Sequence, residues 1–312
     1  MYPAPRMIRL GGRVLTVEDA GPESGFPVVV HSGGGSRHLF PPAVREARRY
    51  SLRLISYDRP GYGGSTPMPG RVVADCAADV RAVLGELGIT RLAVWGFSGG
   101  GPYALATAAL LPDAVAAVCM FAPLGPFGAP GLDFLHGMDD SYREEVRIFF
   151  EDRQAAREKF RVEAAEMYGR LSTAEGWMKA WGDQAGKDAA HDQDIAEYLA
   201  VLMRDGWTNG DEGWWDDWSA FLSPWGFDLE VIDAPVSLWH GLADTRCPPD
   251  HSRWLAERIP HITAHFPEDE DHTNIEENNR TAAYMWLRGY GEELGNETRQ
   301  NVHGREGRRS TG

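Results

Sequence analysis

The stretch Gly96-Phe97-Ser98-Gly99-Gly100-Gly101-Pro102 constrains this chain more than any other. The apolar run at 92–95 reads as a short buried strand, and the Ala- and Leu-rich residues 103–111 read as a helix. Roughly four residues remain in which to turn from one to the other, which forces a strained backbone at the centre and small residues on either side. Such a turn lifts the Ser98 hydroxyl off the sheet edge. It also aims the Gly99 amide and the start of the helix at whatever lies over that hydroxyl. Gly-x-Ser-x-Gly arises by chance in many chains; the strand before it and the helix after it are the context a nucleophile needs.

The rest of the chain alternates in the same way. Residues 8–10 and 14–18 flank Gly11-Gly12 as a hairpin. Strand-like runs follow at 28–30, 52–57 and 114–122, with helical periods at 40–50 and 72–87 between them. This order implies an α/β fold with a mostly parallel central sheet covered by helices on both faces. From 124 to 225 no strand signal is present. Helical stretches dominate, at 142–171 and 195–203, and tryptophans crowd in at Trp177, Trp181, Trp207, Trp214, Trp215, Trp218 and Trp225. This reads as an inserted helical cap over the sheet, its aromatics mostly its own core and some facing a cavity below. Strands resume at 236–240 and 262–266, with helices at 252–258 and 274–290. The expected domains are a core of residues 1–123 and 226–291, a helical cap insertion at 124–225, and a polar, mobile tail at 292–312.

A serine hydroxyl is a poor nucleophile at neutral pH. It needs a base within hydrogen-bond reach, and the base needs an acid to orient it. In a parallel sheet these partners come from loops at the C-terminal ends of later strands. The loop after 236–240 offers Asp244 and the loop after 262–266 offers His272, so the order is nucleophile, acid, histidine. Other candidates are worse placed. His240 ends a strand and reads as structural; His251, His261 and His265 fall in a helix, before a strand and within one. Asp250 lies on the helix side of Pro248-Pro249, Asp269 and Asp271 adjoin His272 too closely, and Asp228 and Asp233 precede their strand. An oxyanion hole needs two donors. Gly99 supplies one, and Gly33 or Gly34, after strand 28–30, supplies the other. The run Gly33-Gly34-Gly35 lacks the Lys-Ser/Thr ending of a phosphate loop, and Gly61-x-Gly63-Gly64 has the wrong spacing for a dinucleotide fingerprint.

Composition narrows the function classes. The 312 residues carry 31 basic and 46 acidic side chains, a net charge of −15. Such a chain is a poor partner for nucleic acid or an anionic membrane. Cys76, Cys119 and Cys247 are too few and too scattered for a disulfide framework or a metal site. No signal peptide or membrane span is legible, which predicts a cytoplasmic protein acting on a small molecule. The chemistry requires no metal or organic cofactor. Oligomeric state is not readable.

Taken together, His31-Ser-Gly-Gly-Gly-Ser, Tyr57-Asp-Arg-Pro-Gly-Tyr-Gly-Gly-Ser65, Gly96-Phe-Ser-Gly-Gly-Gly-Pro102, Gly241-Leu-Ala-Asp244 and Asp271-His272 resemble the serine-nucleophile branch of the α/β-hydrolase superfamily. The resemblance covers residues 7 to about 290 and is weakest in the insertion. It implies the α/β-hydrolase fold with a helical cap, the triad Ser98, Asp244 and His272, and a bracing role for the Asp58-Arg59 turn. The family usually shows His-Gly where this chain has His31-Ser32. The implied activity is hydrolysis of an ester, lactone or amide of a small hydrophobic substrate through an acyl-enzyme. Alternatives on the same fold are a peptidase resembling proline iminopeptidase, with cap acids Glu163, Glu166, Asp216 and Asp217 to hold an amine, a C–C hydrolase, or a non-hydrolytic lyase or cyclase.

Overall fold

Each apolar run becomes a strand of one sheet. The computed structural model describes residues 4–184 and 193–309. The strands are β1 (Arg6–Leu10), β2 (Arg13–Ala20), β3 (Phe26–His31), β4 (Leu52–Tyr57), β5 (Leu92–Phe97), β6 (Val115–Phe121), β7 (Val236–Trp239) and β8 (Ile262–His265). They are arranged β1-β2-β4-β3-β5-β6-β7-β8. The hairpin β1–β2 joins β4 antiparallel, and every pair from β4 to β8 is parallel. From β3 the chain passes to β4 on one side and then to β5 on the other. The order therefore reverses beside β3, and a crevice opens at the C-terminal ends of β3 and β5, where parallel sheets place ligands.

Both faces of the sheet are dry. Along β5, Val94 packs in one core cluster with Val80 and Leu105, while Ala93 and Trp95 pack in the other with Phe121 and Tyr284. Helices α2 (Cys76–Leu87) and α3 (Gly101–Leu110) cover the first face; α1 (Pro41–Arg49) and the last helix cover the second. Burying each such side chain contributes about 1.5–3 kcal/mol, so central strands tolerate few polar residues.

Between β6 and β7 the described residues form no strand; the α-helices there are α4 (Asp140–Glu151), α5 (Arg153–Leu171), α6 (Ala174–Gln184), α7 (Gln193–Gly206) and α8 (Glu212–Phe221). The single helical stretch expected at 142–171 is two helices. Asp152 adopts extended φ −148° and ψ 94° and accepts from the amides of Gln154 (3.0 Å) and Ala155 (2.9 Å), capping α5 and ending α4. After β7 comes α9 (Pro249–Ala256), and after β8 comes α10 (Ile275–Arg309). Helix α10 runs past the end expected near residue 290. Gly291 does not stop it, because no proline follows and Glu, Arg and Gln favour helix. Among the described residues no helix is long and apolar enough to cross a membrane, and no group of three or more His, Cys, Asp or Glu is placed to hold a metal ion.

Candidate active site

Ser98 sits between β5 and α3 with φ +54°, a left-handed conformation rarely adopted by a side-chain-bearing residue. The turn closes because its neighbours lack side chains. A Cβ on Gly100 would overlap the carbonyl of His31, and one on Gly96 would lie 2.8 Å from the Ala104 methyl. Phe97 rests beside the His272 ring, 5.2 Å between centroids.

The three residues expected to act together come together. His272 Nε2 lies 2.9 Å from Ser98 Oγ, and His272 Nδ1 lies 2.7 Å from Asp244 Oδ2. A carboxylate only accepts, so Nδ1 carries the proton and donates to Asp244, which leaves Nε2 free to accept from the serine hydroxyl. Asp244 is buried. Its Oδ1 accepts from the amides of Arg246 and Cys247, both at 2.9 Å. Burial alone pushes its carboxyl up, but His240, His272 and the Cys247 amide outweigh burial and hold it well below the usual carboxylate range.

His240 is more than the strand-end residue its position suggests. Its Nε2 is 3.3 Å from Asp244 Oδ2 and 2.6 Å from the Cys247 carbonyl. Both are acceptors, so Nε2 donates, and Asp244 is braced by a second imidazole. The signal for this is spacing: residues 240 and 244 lie four apart on either side of the turn after β7.

The candidate oxyanion loop is tied from below. Arg59 donates to the carbonyls of Ser32 (2.5 Å) and Gly33 (3.2 Å). The peptides are trans, so each amide points opposite to the preceding carbonyl. Holding those two carbonyls therefore fixes the directions of the Gly33 and Gly34 amides. Ser32, where the resemblance expects glycine, turns its hydroxyl back to the Ser36 carbonyl at 2.8 Å. Gly33 is against the nucleophile, since a Cβ on it would be 3.1 Å from Ser98 Cβ. Beneath the loop, His31 is fully buried beside Thr107; burial and the nearby Arg59 push its pKa down to about 3, so it stays neutral.

Arg59 is itself held by α8. Its guanidinium pairs with Asp217 at 2.6 Å, and Asp217 also pairs with Arg71 at 2.7 Å and accepts from Tyr103 (2.6 Å) and Tyr62 (3.0 Å). Burial would raise the Asp217 carboxyl, but the two guanidiniums bring it down to about 2. Of the cap acids considered for an amine, Asp217 is thus saturated by cations and Glu163 pairs with Lys159.

A cavity of about 170 Å³ opens over Ser98. Gly33, Gly34, Gly99 and His272 form its floor; Trp207, Trp214, Trp218 and Phe221 form its roof. The tryptophans divide as expected. Trp215 packs inside the insertion against Phe149 and Phe160, and Trp225 stacks on Phe227. Trp177 joins the small cluster around Leu171 and Met203, and the Trp181 side chain lies outside the described residues. Cys76, Cys119 and Cys247 are free and buried.

A family model for the alpha/beta hydrolase fold matches residues 28–279. An esterase from Exiguobacterium antarcticum superposes with a TM-score of 0.65 and 22% identity over 92% of this chain and 98% of its own. An esterase from Rhodococcus sp. ECU1013 also reaches 0.65, with 20% identity over 94% of this chain and 100% of its own. At these identities the likeness shows the fold alone. A curated relative, the dihydrolipoyllysine-residue acetyltransferase component of the acetoin cleaving system of Pseudomonas putida, is 35% identical over 139 residues. That match covers 43% of this chain and only 37% of the relative.

Proposed function

The chain belongs to the alpha/beta hydrolase fold family, and from that premise we propose that it is a serine hydrolase cleaving an ester, lactone or amide of a small substrate through an acyl-enzyme. One observation carries the reading: the continuous line from Ser98 Oγ through His272 to Asp244, at 2.9 and 2.7 Å, opening into a cavity.

The steps follow from the proton positions. Ser98 Oγ attacks the carbonyl carbon while its proton passes to His272 Nε2. Negative charge on the carbonyl oxygen faces the amides of Gly99 and of Gly33 or Gly34; each donor at such a site contributes about 2.7–4 kcal/mol. His272 then protonates the leaving alkoxide or amine as the carbon–heteroatom bond breaks. Water, giving its proton to the same nitrogen, attacks the acyl-enzyme, and the returning proton restores Ser98 as the acid leaves. Asp244 holds His272 in the tautomer that makes Nε2 the base. The insertion acts as a cap whose tryptophan roof favours an apolar group and excludes water.

A peptidase that captures a free amine finds less support, because Asp217 already spends its charge on two arginines. The test is labelling with a fluorophosphonate probe and turnover of short-chain p-nitrophenyl esters. Labelling at Ser98, lost in Ser98→Ala, is expected; a folded protein that neither labels nor turns over any ester rejects the reading.

A further inference from the structure

The wall of the cavity over Ser98 holds a cation, Arg246, that pairs with no acid among the described residues. Arg246 lines it, is solvent-exposed, and follows directly on the loop that carries Asp244. Its backbone amide is used by Asp244, but its guanidinium makes no ion pair with any described residue. Of the acids nearby, Asp217 is paired with Arg59 and Arg71 and Asp244 is hydrogen-bonded by His272 and His240, while Asp139 and Glu145 stand around Tyr142 without an ion pair to Arg246. Arg246 is thus the cation in the cavity wall without a paired anion, while the Asp217 in that wall is held by Arg59 and Arg71. Much of the remaining wall is apolar or aromatic, including Leu124, Met138 and Trp218.

We propose that Arg246 anchors a carboxylate of the substrate, so that the site selects small esters or lactones bearing an acid group a few carbons from the scissile carbonyl. This rests on the serine-hydrolase reading of the same cavity. The chemistry favours it on three counts. A guanidinium presents paired N–H donors that match a carboxylate, and such charge-assisted bonds are among the strongest available. The apolar wall lowers the local dielectric once a ligand fills the space, which strengthens the pair. Arg246 is also fixed at its backbone by the same carboxylate that orients His272, so an acid held there is in register with Ser98. A cavity of about 170 Å³ suits a short diacid half-ester rather than a long acyl chain.

Two measurements test this. First, 4-phenylbutyrate and its uncharged amide are titrated against the folded protein, read by the fluorescence of Trp207, Trp214 and Trp218 in the cavity wall. The acid is expected to bind at least tenfold more tightly, with the difference collapsing in Arg246→Gln and reversing in Arg246→Glu. Second, kcat/KM is compared for monophenyl glutarate and phenyl valerate; the ratio should exceed ten and fall towards one in Arg246→Gln. Equal binding of acid and amide, or a preference that survives Arg246→Gln, overturns the proposal. The binding readout does not depend on Ser98 chemistry, so it decides the role of Arg246 even if Ser98 fails to label, a result that would count against the hydrolase reading alone.

Discussion

Two carboxylates are buried near Ser98, Asp244 behind His272 and Asp217 in the cavity wall, and they are used differently. Asp244 passes its influence along a line that ends in a hydroxyl facing open space: Asp244, His272, Ser98. Asp217 is enclosed, with two guanidiniums and two phenols filling its oxygens. Both carboxyls are held below their usual range against the opposing push of burial. A lowered pKa therefore does not mark out the proposed catalytic acid here. What distinguishes Asp244 is that its chain of hydrogen bonds has a movable proton and an unfilled end, whereas the bonds of Asp217 close on themselves. The first arrangement can do work on a ligand. The second fastens α8 of the insertion to the loop that carries Gly33 and Gly34.

The sharpest break between the two is at the nucleophile. Ser98→Ala should lower ester turnover by about 10⁴-fold or more while the thermal midpoint stays within a few degrees, since only the open-ended line is cut. Asp244→Asn should lower kcat by about 10³–10⁴-fold by disturbing the His272 tautomer, measured alongside circular dichroism to confirm an intact fold. A loss under tenfold would mean that His240 and the loop amides orient His272 without the carboxylate.

Asp217→Ala should instead act on stability. It strands two buried guanidiniums, which costs about 3–5 kcal/mol by chemical denaturation. Its pH signature has a definite sign. The folded pKa of about 2 lies below the unfolded 3.8, so the contribution is present above about pH 4 and lost as pH falls towards 2. That part of the acid-induced loss should vanish in Asp217→Asn.

A third carboxylate, Glu145 on α4, sharpens the comparison by reversing it. Burial first, and then Glu163, push it up from 4.5 to about 7, and its Oε2 has no hydrogen-bond partner. The folded state thus binds a proton more tightly than the unfolded one, and stability falls as pH rises from about 4.5 to 7. Glu145→Gln should stabilise the protein by about 1–3 kcal/mol at pH 8 and scarcely at pH 4, by urea unfolding at both. A stabilisation equal at the two pH values would show that Glu145 is not protonated on folding.

What could be read in advance followed the range of the interactions. Strand and helix positions in the core come from local apolar periodicity, and the elbow comes from adjacent glycines that leave room for His31 and Ala104. Ser98, Asp244 and His272 were legible because sheet topology allows few loops to face an elbow. The break at Asp152 was missed because helical periodicity carries through a capping residue unless its geometry is known. The Arg59–Asp217 lock joins residues 158 apart in sequence, and no local pattern distinguishes Asp217 from Asp211, Glu212 and Asp216 beside it.

The chain by itself determined the order of strands and helices, the strained serine and the set of loops from which its partners had to come, because steric exclusion and burial act on neighbours in sequence. Only the tertiary structure decided which buried charges are satisfied. Electrostatic pairing depends on distance in space, and it is folding that places Arg59 against Asp217, His240 against Asp244, and Arg246 in the wall of the cavity over Ser98.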